Sequence, residues 1–167
     1  MNRIELLSRL KEIGIITNTP VTLRSGVISD YYCDMKKAFG LPDILNAIAD
    51  EVILNLPANV TTIASSGYGG LPFGSVVASR SGKKFTAVRD SAKDHGKGGR
   101  IDGYKPTKDD VVVIVDDVLT TGSSIRSTMS GLKEVWVEVI MAIIIVKRVE
   151  VELGISRITL FDIDELK

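Results

Sequence analysis

The sequence predicts an α/β protein: a central, mainly parallel sheet with helices on both faces, forming a single domain over residues 1–167. Three observations predict it. Residues 111–115 read VVVIV, five β-branched apolar residues without a polar interruption, as in a strand buried on both faces of a parallel sheet. Helical and strand patterns alternate along the chain, which implies right-handed βαβ crossovers. Three polar or glycine-rich loops each follow a strand, and sheets of this kind bind ligands at the carboxyl ends of their strands.

The elements follow in order. The N-terminal MNRIELLSRLKEIG places Ile4, Leu7 and Leu10 on one side of an amphipathic helix that Gly14 can end, and it does not read as a signal peptide. A short extended segment at 21–23, a turn at Ser25-Gly26 and a strand through 31–35 come next. Pro42 marks a helix start, with Ile44, Leu45, Ile48 and Val52 on its buried side. A strand at 60–64 leads into the glycine-rich turn SSGYGG and a helix to about Ser79. A strand at 85–88 precedes a long polar loop. The strand at 111–115 stops at two carboxylates, Asp116 and Asp117, and Ser123 or Ser124 can cap a helix over 125–134. Strands at 139–146 and 157–161 finish the sheet. The apolar run at 139–146 is strand-sized, too short to cross a membrane.

Composition narrows the function classes. A chain of 167 residues, 44% hydrophobic and 25% charged, supports one full core. Its net charge of 0 argues against a protein held on a nucleic-acid backbone. The single cysteine, Cys33, excludes an internal disulfide and a cysteine-based zinc site, and fits a reducing, cytoplasmic compartment.

The most informative stretch is VVVIVDDVLTTGSS. After the acids, a cluster of hydroxyls surrounds one glycine: Thr120, Thr121, Gly122, Ser123 and Ser124. Such a loop turns backbone N–H groups inward at the positive end of a helix, which makes a phosphate cradle. The paired acids beside it suit ribose hydroxyls, or a hydrated Mg²⁺ that itself touches phosphates. A second constellation, RDSAKDHGKGGR at 89–100, holds four basic residues, two acids, the only histidine and three glycines, with Ala92 its one apolar residue. It lacks what would order it when empty, and its glycines allow a lid to fold over a ligand. Its basic residues suit a departing pyrophosphate, and a solvated loop of mixed charge is the plainer reading.

These residues carry a family resemblance. VVVIVDDVLTTGSS resembles the phosphoribosyl-diphosphate (PRPP) motif of type I phosphoribosyltransferases, in which the two acids hold ribose hydroxyls and the hydroxyl loop wraps the 5′-phosphate. The 89–100 loop resembles the flexible loop of the orotate phosphoribosyltransferases, with Arg89, Lys93 and His95 matching its catalytic basic residues and Asp90 standing where many members place a lysine. LRSGVISDYYCDM resembles that family's N-terminal element, with Arg24 for the usual lysine and Tyr31-Tyr32 at its aromatic pair. Ring stacking on a pyrimidine and ordinary strand packing are both open for this pair. SSGYGGLPFG resembles the pyrophosphate loop: Tyr68, Gly69 and Gly70 fall in it, and Gly69 stands where some relatives carry lysine, so binding would rest on backbone N–H groups. Arg148, after the 143–146 strand, matches the arginine presented to the orotate carboxylate, with a solvated strand end as the alternative.

The resemblance implies a type I phosphoribosyltransferase-like fold with a hood and base-binding element over 1–40 and a core over 41–167. It implies PRPP, orotate and pyrophosphate as ligands, Thr120 close to both PRPP and orotate, and Mg²⁺ as cofactor, held mainly by PRPP and water with no direct protein ligand. It also implies a homodimer whose 89–100 loops serve the neighbouring subunit, with no nucleic-acid or membrane partner. The implied activity is transfer of ribose 5-phosphate from PRPP to orotate in pyrimidine biosynthesis. Alternatives are a purine or uracil phosphoribosyltransferase, which would not need Arg24 and Arg148 for a carboxylate, and a non-catalytic PRPP-binding regulator, which would be expected to add a DNA-binding segment or a broad basic face.

Overall fold

The computed structural model describes residues 1–22, 26, 28–91 and 99–167. Helix α1 (Arg3–Glu12) begins in a capping box: Asn2 Oδ1 accepts the Glu5 N–H while the Glu5 carboxylate accepts the Asn2 N–H. It ends at Ile13, and Gly14 follows at φ +65°, left-handed backbone that glycine adopts without strain. The buried residues are Leu6 and Leu10, one turn apart, with Leu7 half-buried. Ile4, expected on that seam, is exposed, because a residue two places before Leu6 turns to nearly the opposite side of a helix.

The next segment makes two small antiparallel pairs, β1 (Ile16–Thr17) with β4 (Tyr32–Cys33) and β2 (Val21–Thr22) with β3 (Ile28–Ser29). The strand expected over 31–35 is cut short at Cys33. Asp34 accepts the Lys36 N–H and starts a 3-10 helix, Met35–Gly40. Helix α2 (Pro42–Leu54) follows, with Pro42 in its first turn and Ile44, Ile48 and Val52 buried; Leu45 is half-buried.

The core is a six-stranded sheet in the order β10-β9-β8-β5-β6-β7. Strands β5 (Thr62–Ser66), β6 (Lys84–Val88), β8 (Val111–Leu119), β9 (Glu138–Lys147) and β10 (Ser156–Asp162) run parallel to their neighbours. The edge strand β7 (Ile101–Gly103) is antiparallel to β6, and it lies in what the sequence reads as loop. Its three residues carry too little pattern to be recognised alone. Helix α3 (Gly67–Ser81) connects β5 to β6, helix α4 (Ser123–Lys133) connects β8 to β9, and the short α5 (Ile163–Leu166) closes the chain. Alternate residues of the apolar strands serve opposite faces: Val113, Val115, Ile143 and Ile145 pack with α1, α2 and α3, whereas Val112, Ile114, Ala142 and Ile144 pack with Ile125 and Leu132 of α4. No helix of the described residues is long and apolar enough to cross a membrane.

Two boundaries differ from expectation near the loop end of the sheet. Strand β8 does not stop at the acids but continues to Leu119, with Asp116 opposite Ile144 and Val118 opposite Val146 on β9. Helix α4 starts at Ser123, two residues early, and its N-cap is Gly122 at φ +75° with no capping side chain. The ladder to β9 supplies pairing that a local reading cannot see.

At the other end of the sheet, Asp110 is buried and fully engaged. Its Oδ1 accepts from Lys84 Nζ and Thr61 Oγ1, both at 2.8 Å, and its Oδ2 accepts from the Tyr104 hydroxyl at 2.8 Å and the Thr107 N–H at 2.9 Å. Burial by itself would raise its pKa; Lys84, the Thr107 N–H and the two hydroxyls outweigh that and hold it well below the usual carboxylate range. The network ties β5, β6 and β8 to the segment between β7 and β8.

Replacing Asp110 by Ala would leave the Thr107 N–H and neighbouring hydroxyls without an acceptor. The expected loss is about 3 kcal/mol, a fall of roughly 6–12 °C in the thermal midpoint. Because the native pKa is depressed, this stabilisation is complete above about pH 4 and is lost as pH falls through the native value. Denaturant titrations of both proteins at pH 7 and pH 3 check this: the gap should narrow in acid, and an unchanged midpoint at pH 7 would overturn the assignment.

Candidate active site

The carboxyl ends of β5 and β8, the first turn of α3, the loop into α4 and the N-terminal pairs together enclose a cavity of about 510 Å³. At its centre are Asp116 and Asp117. Asp116 is 6% exposed, and the Asp117 N–H donates to its Oδ1 at 3.1 Å. Burial first, and then the charge of Asp117, push the Asp116 pKa well above the usual carboxylate range; burial pushes Asp117 up as well, while Lys36 pulls it down. The free site therefore holds acid groups that keep protons to unusually high pH.

Glycine is what lets this pair fit. A Cβ at Gly69 would stand 2.0 Å from Asp117 Oδ2, and one at Gly70 would stand 2.9 Å from Asp116 Oδ1. The SSGYGG segment is thus the end of β5 and the first turn of α3, with its backbone laid directly against both carboxylates. Tyr68 also lines the cavity, and its side chain is exposed. Ser65 Oγ donates to the Val115 carbonyl at 2.7 Å, and the Thr128 hydroxyl of α4 lies 2.8 Å from Ser66 Oγ, so the two helices are joined beneath the cavity.

The second helix N-terminus is that of α4. Thr120, Thr121, Ser123 and Ser124 line the cavity, and Gly122 turns the chain behind them. Thr121 Oγ1 accepts the Ser123 N–H at 3.4 Å, whereas the N–H groups of Ser124 and Ile125 have no partner among the described residues. Arg126 braces the loop from behind, donating to the Thr121 carbonyl and, at 3.3 Å, to the Glu152 carbonyl. Open N–H donors at a helix start form an anion seat.

Arg148 closes another wall. Its backbone N–H bonds Leu119 O at 3.0 Å, and its guanidinium donates to Ser29 Oγ and lies 4.4 Å from the Tyr31 ring centre. Its Nε is buried and has no partner among the described residues. Of the aromatic pair, Tyr32 lines the cavity; Tyr31 does not, and packs under Arg148 with Lys167 Nζ 4.5 Å from its ring centre.

The remaining expected residues divide. Arg89, at the end of β6, is not on the cavity wall: its Nε pairs with Asp102 Oδ2 at 2.5 Å and its N–H bonds Arg100 O at 2.7 Å. Arg24, Lys93 and His95 lie outside the described residues. Among the lining residues that sequence reasoning missed are Lys36 and Cys33. Lys36 was signalled by a basic pair one helical turn after Tyr32, and Cys33 by nothing; burial and then the Asp117 charge push its thiol up to about 12. Among the described residues no cluster of three His, Cys, Asp or Glu side chains could hold a metal ion.

Comparison with known proteins agrees with this geometry. A family described as Phosphoribosyl transferase domain matches residues 39–158. An orotate phosphoribosyltransferase of Methanopyrus kandleri is 36% identical over 150 residues, covering 90% of this chain and 80% of that protein. One of Bacillus mycoides is 35% identical over 156 residues, covering 90% and 73%. The crystal structure of orotate phosphoribosyltransferase from Aeropyrum pernix superposes with a TM-score of 0.82 at 27% identity, over 96% of this chain and 95% of that one.

The raised acids make a prediction opposite in sign to that for Asp110. A buried carboxyl that keeps its proton in the native state binds more protons folded than unfolded, so its contribution to stability falls as pH rises above about 4 towards its native value. Asp116→Asn removes that penalty. In thermal melts from pH 4 to pH 8 the variant should lose less stability than the parent across the range, and parallel curves would overturn the raised pKa.

Proposed function

The chain belongs to the phosphoribosyl transferase domain family, and from that premise we propose that it transfers ribose 5-phosphate from PRPP to orotate, giving orotidine 5′-monophosphate and pyrophosphate in pyrimidine biosynthesis. One observation carries the reading: a buried acid and a half-buried one, Asp116 and Asp117, stand in a cavity with two helix N-termini, and the same cavity has an arginine whose Nε is buried without a partner among the described residues. A pair of substrates that brings a phosphate, a diphosphate and a polyol on one molecule and a carboxylate on the other satisfies all of these at once.

Each group then has a task. The N–H groups at the start of α4, with Thr120, Thr121, Ser123 and Ser124, hold the 5′-phosphate. Asp116 and Asp117 accept from the ribose hydroxyls and favour the positive charge that develops on the sugar as the bond from its anomeric carbon to pyrophosphate breaks. The first turn of α3, through Gly69 and Gly70, offers backbone N–H groups to the pyrophosphate. Arg148 takes the orotate carboxylate, with Tyr31 holding it in place and Tyr32 facing the base, and Arg24 lies in the same N-terminal element. Orotate is already an anion at neutral pH, so no strong base is required. Arg89, Lys93 and His95 belong to the loop that would close on the pyrophosphate, with His95 able to donate a proton to it. Mg²⁺ fits as a cofactor held by PRPP oxygens and water, with Asp116 and Asp117 reaching it through water, and it would neutralise leaving-group charge. A homodimer that shares its 89–100 loops, working in the cytoplasm, completes the reading.

Turnover with PRPP, Mg²⁺ and a panel of bases tests it. A buried charged donor left without its acceptor costs roughly 1.5–3 kcal/mol, so orotate should be preferred over uracil at least tenfold. Arg148→Gln should lower kcat/KM for orotate by a similar factor. Equal rates on uracil, or a preference for adenine or hypoxanthine, would overturn the assignment.

Loop sharing has its own test. Lys93→Ala and Asp117→Ala subunits should each be nearly inactive. After subunit exchange about half the dimers are hybrids with one intact site of two, so activity should return to roughly a quarter of the parent's. Absence of recovery would place the loop in its own subunit's site.

A further inference from the structure

Among the described residues the cavity has two cations on its wall, Arg148 and Lys36, and only Arg148 has a task in the reading above. Lys36 sits on the 3-10 helix. Its Nζ lies 2.7 Å from Asp34 Oδ1 and 3.0 Å from the Tyr32 hydroxyl, two contacts that hold the ammonium in one place. An ammonium has three N–H donors, and no described residue takes the third.

The surroundings say what that donor would meet. Lys36 is close enough to Asp117 for its charge to favour the ionised carboxylate, and the same carboxylate lies against the backbone of Gly69 in the first turn of α3. That turn reads Gly67, Tyr68, Gly69, Gly70 and brings no cationic side chain. Its N–H groups offer an anion only partial charges, roughly half an elementary charge at a helix start. A diphosphate seated there lies beside two acids, and without a full positive charge in the same space Asp117 would repel it.

We propose that Lys36 is a substrate-binding cation of this site, giving its third N–H to a diphosphate oxygen of the ribosyl donor and screening that diphosphate from Asp117. The proposal rests on the PRPP reading above. It assigns Lys36 to the diphosphate and not to the base, although Lys36 also touches Tyr32.

Calorimetric titration with PRPP and with inorganic pyrophosphate, each with Mg²⁺, on the parent, Lys36→Met and Lys36→Arg tests it. The lysine side chain is 42% exposed, so its ion pair adds little to stability and the melting midpoint of both variants should stay within about 2 °C of the parent. Lys36→Met should weaken both ligands about tenfold or more and raise the KM for PRPP by the same factor, with less than threefold change in the KM for orotate; Lys36→Arg should recover most of the loss. Unchanged pyrophosphate affinity in Lys36→Met would overturn the proposal. So would a rise in the orotate KM as large as that for PRPP, which would mean that Lys36 acts on the base through Tyr32. A parent protein that binds neither PRPP nor pyrophosphate would overturn the PRPP reading and this assignment together.

Discussion

Two adjacent carboxylates at the end of a parallel strand, Asp116 buried and Asp117 half-buried, are the constraint around which this protein is organised. Burial of a carboxylate without full hydrogen bonding is unfavourable, and here desolvation raises the pKa of both members of one dipeptide. The surrounding structure keeps side chains away from the pair. Gly69 and Gly70 bring α3 to within a missing methyl group of both acids, and the α4 loop opposite presents hydroxyls and backbone N–H groups. What faces the acids is mostly main chain, which is rigid and carries donors, and so suits a ligand rich in oxygen.

That arrangement needs support from beneath, and the polar contacts outside the cavity supply it. Thr128 of α4 reaches Ser66 below α3, Ser65 bonds the strand that carries the acids, and Gly74 is small because Ser65 Oγ would lie 2.0 Å from a Cβ there. Arg126 holds the loop before α4 to the segment after β9. Arg100, at the far root of the 89–100 loop, donates to the Ser127 carbonyl and hydroxyl of the same helix. The helix whose start would bind the 5′-phosphate is therefore also the anchor of the loop that would close over the pyrophosphate.

The two ends of the sheet show opposite uses of a buried acid. At the amino end Asp110 has every oxygen engaged and a depressed pKa, so it stabilises the fold. At the carboxyl end Asp116 and Asp117 are less fully engaged by the described residues, have raised pKa values and detract from the stability of the free protein. The difference lies in neighbours: Lys84, Tyr104 and Thr107 surround the one, and a cavity surrounds the others. The polyol proposed for this site would need acceptors left open, whereas the acid just before the same strand, Asp110, is fully engaged.

The sequence by itself determined the fold class, the order of helices and strands from Pro42 onward apart from the short β7 and α5, and the identity of the acid pair and hydroxyl loop. Those depend on local periodicity and on residue chemistry, both of which are written in consecutive residues. Only the tertiary structure decided the rest. Strand β8 runs on through Asp116 and Asp117 because β9 pairs with it, a contact between residues nearly thirty positions apart. Tyr31 turned towards Arg148 and Tyr32 towards the cavity, a division that strand alternation allows but whose direction depends on what lies on each face. Lys36 came to the cavity wall because Asp34 starts a 3-10 turn there, where the local pattern suggested more strand. In each case an element distant in the chain, or a side chain competing for a backbone group, settled what periodicity left open.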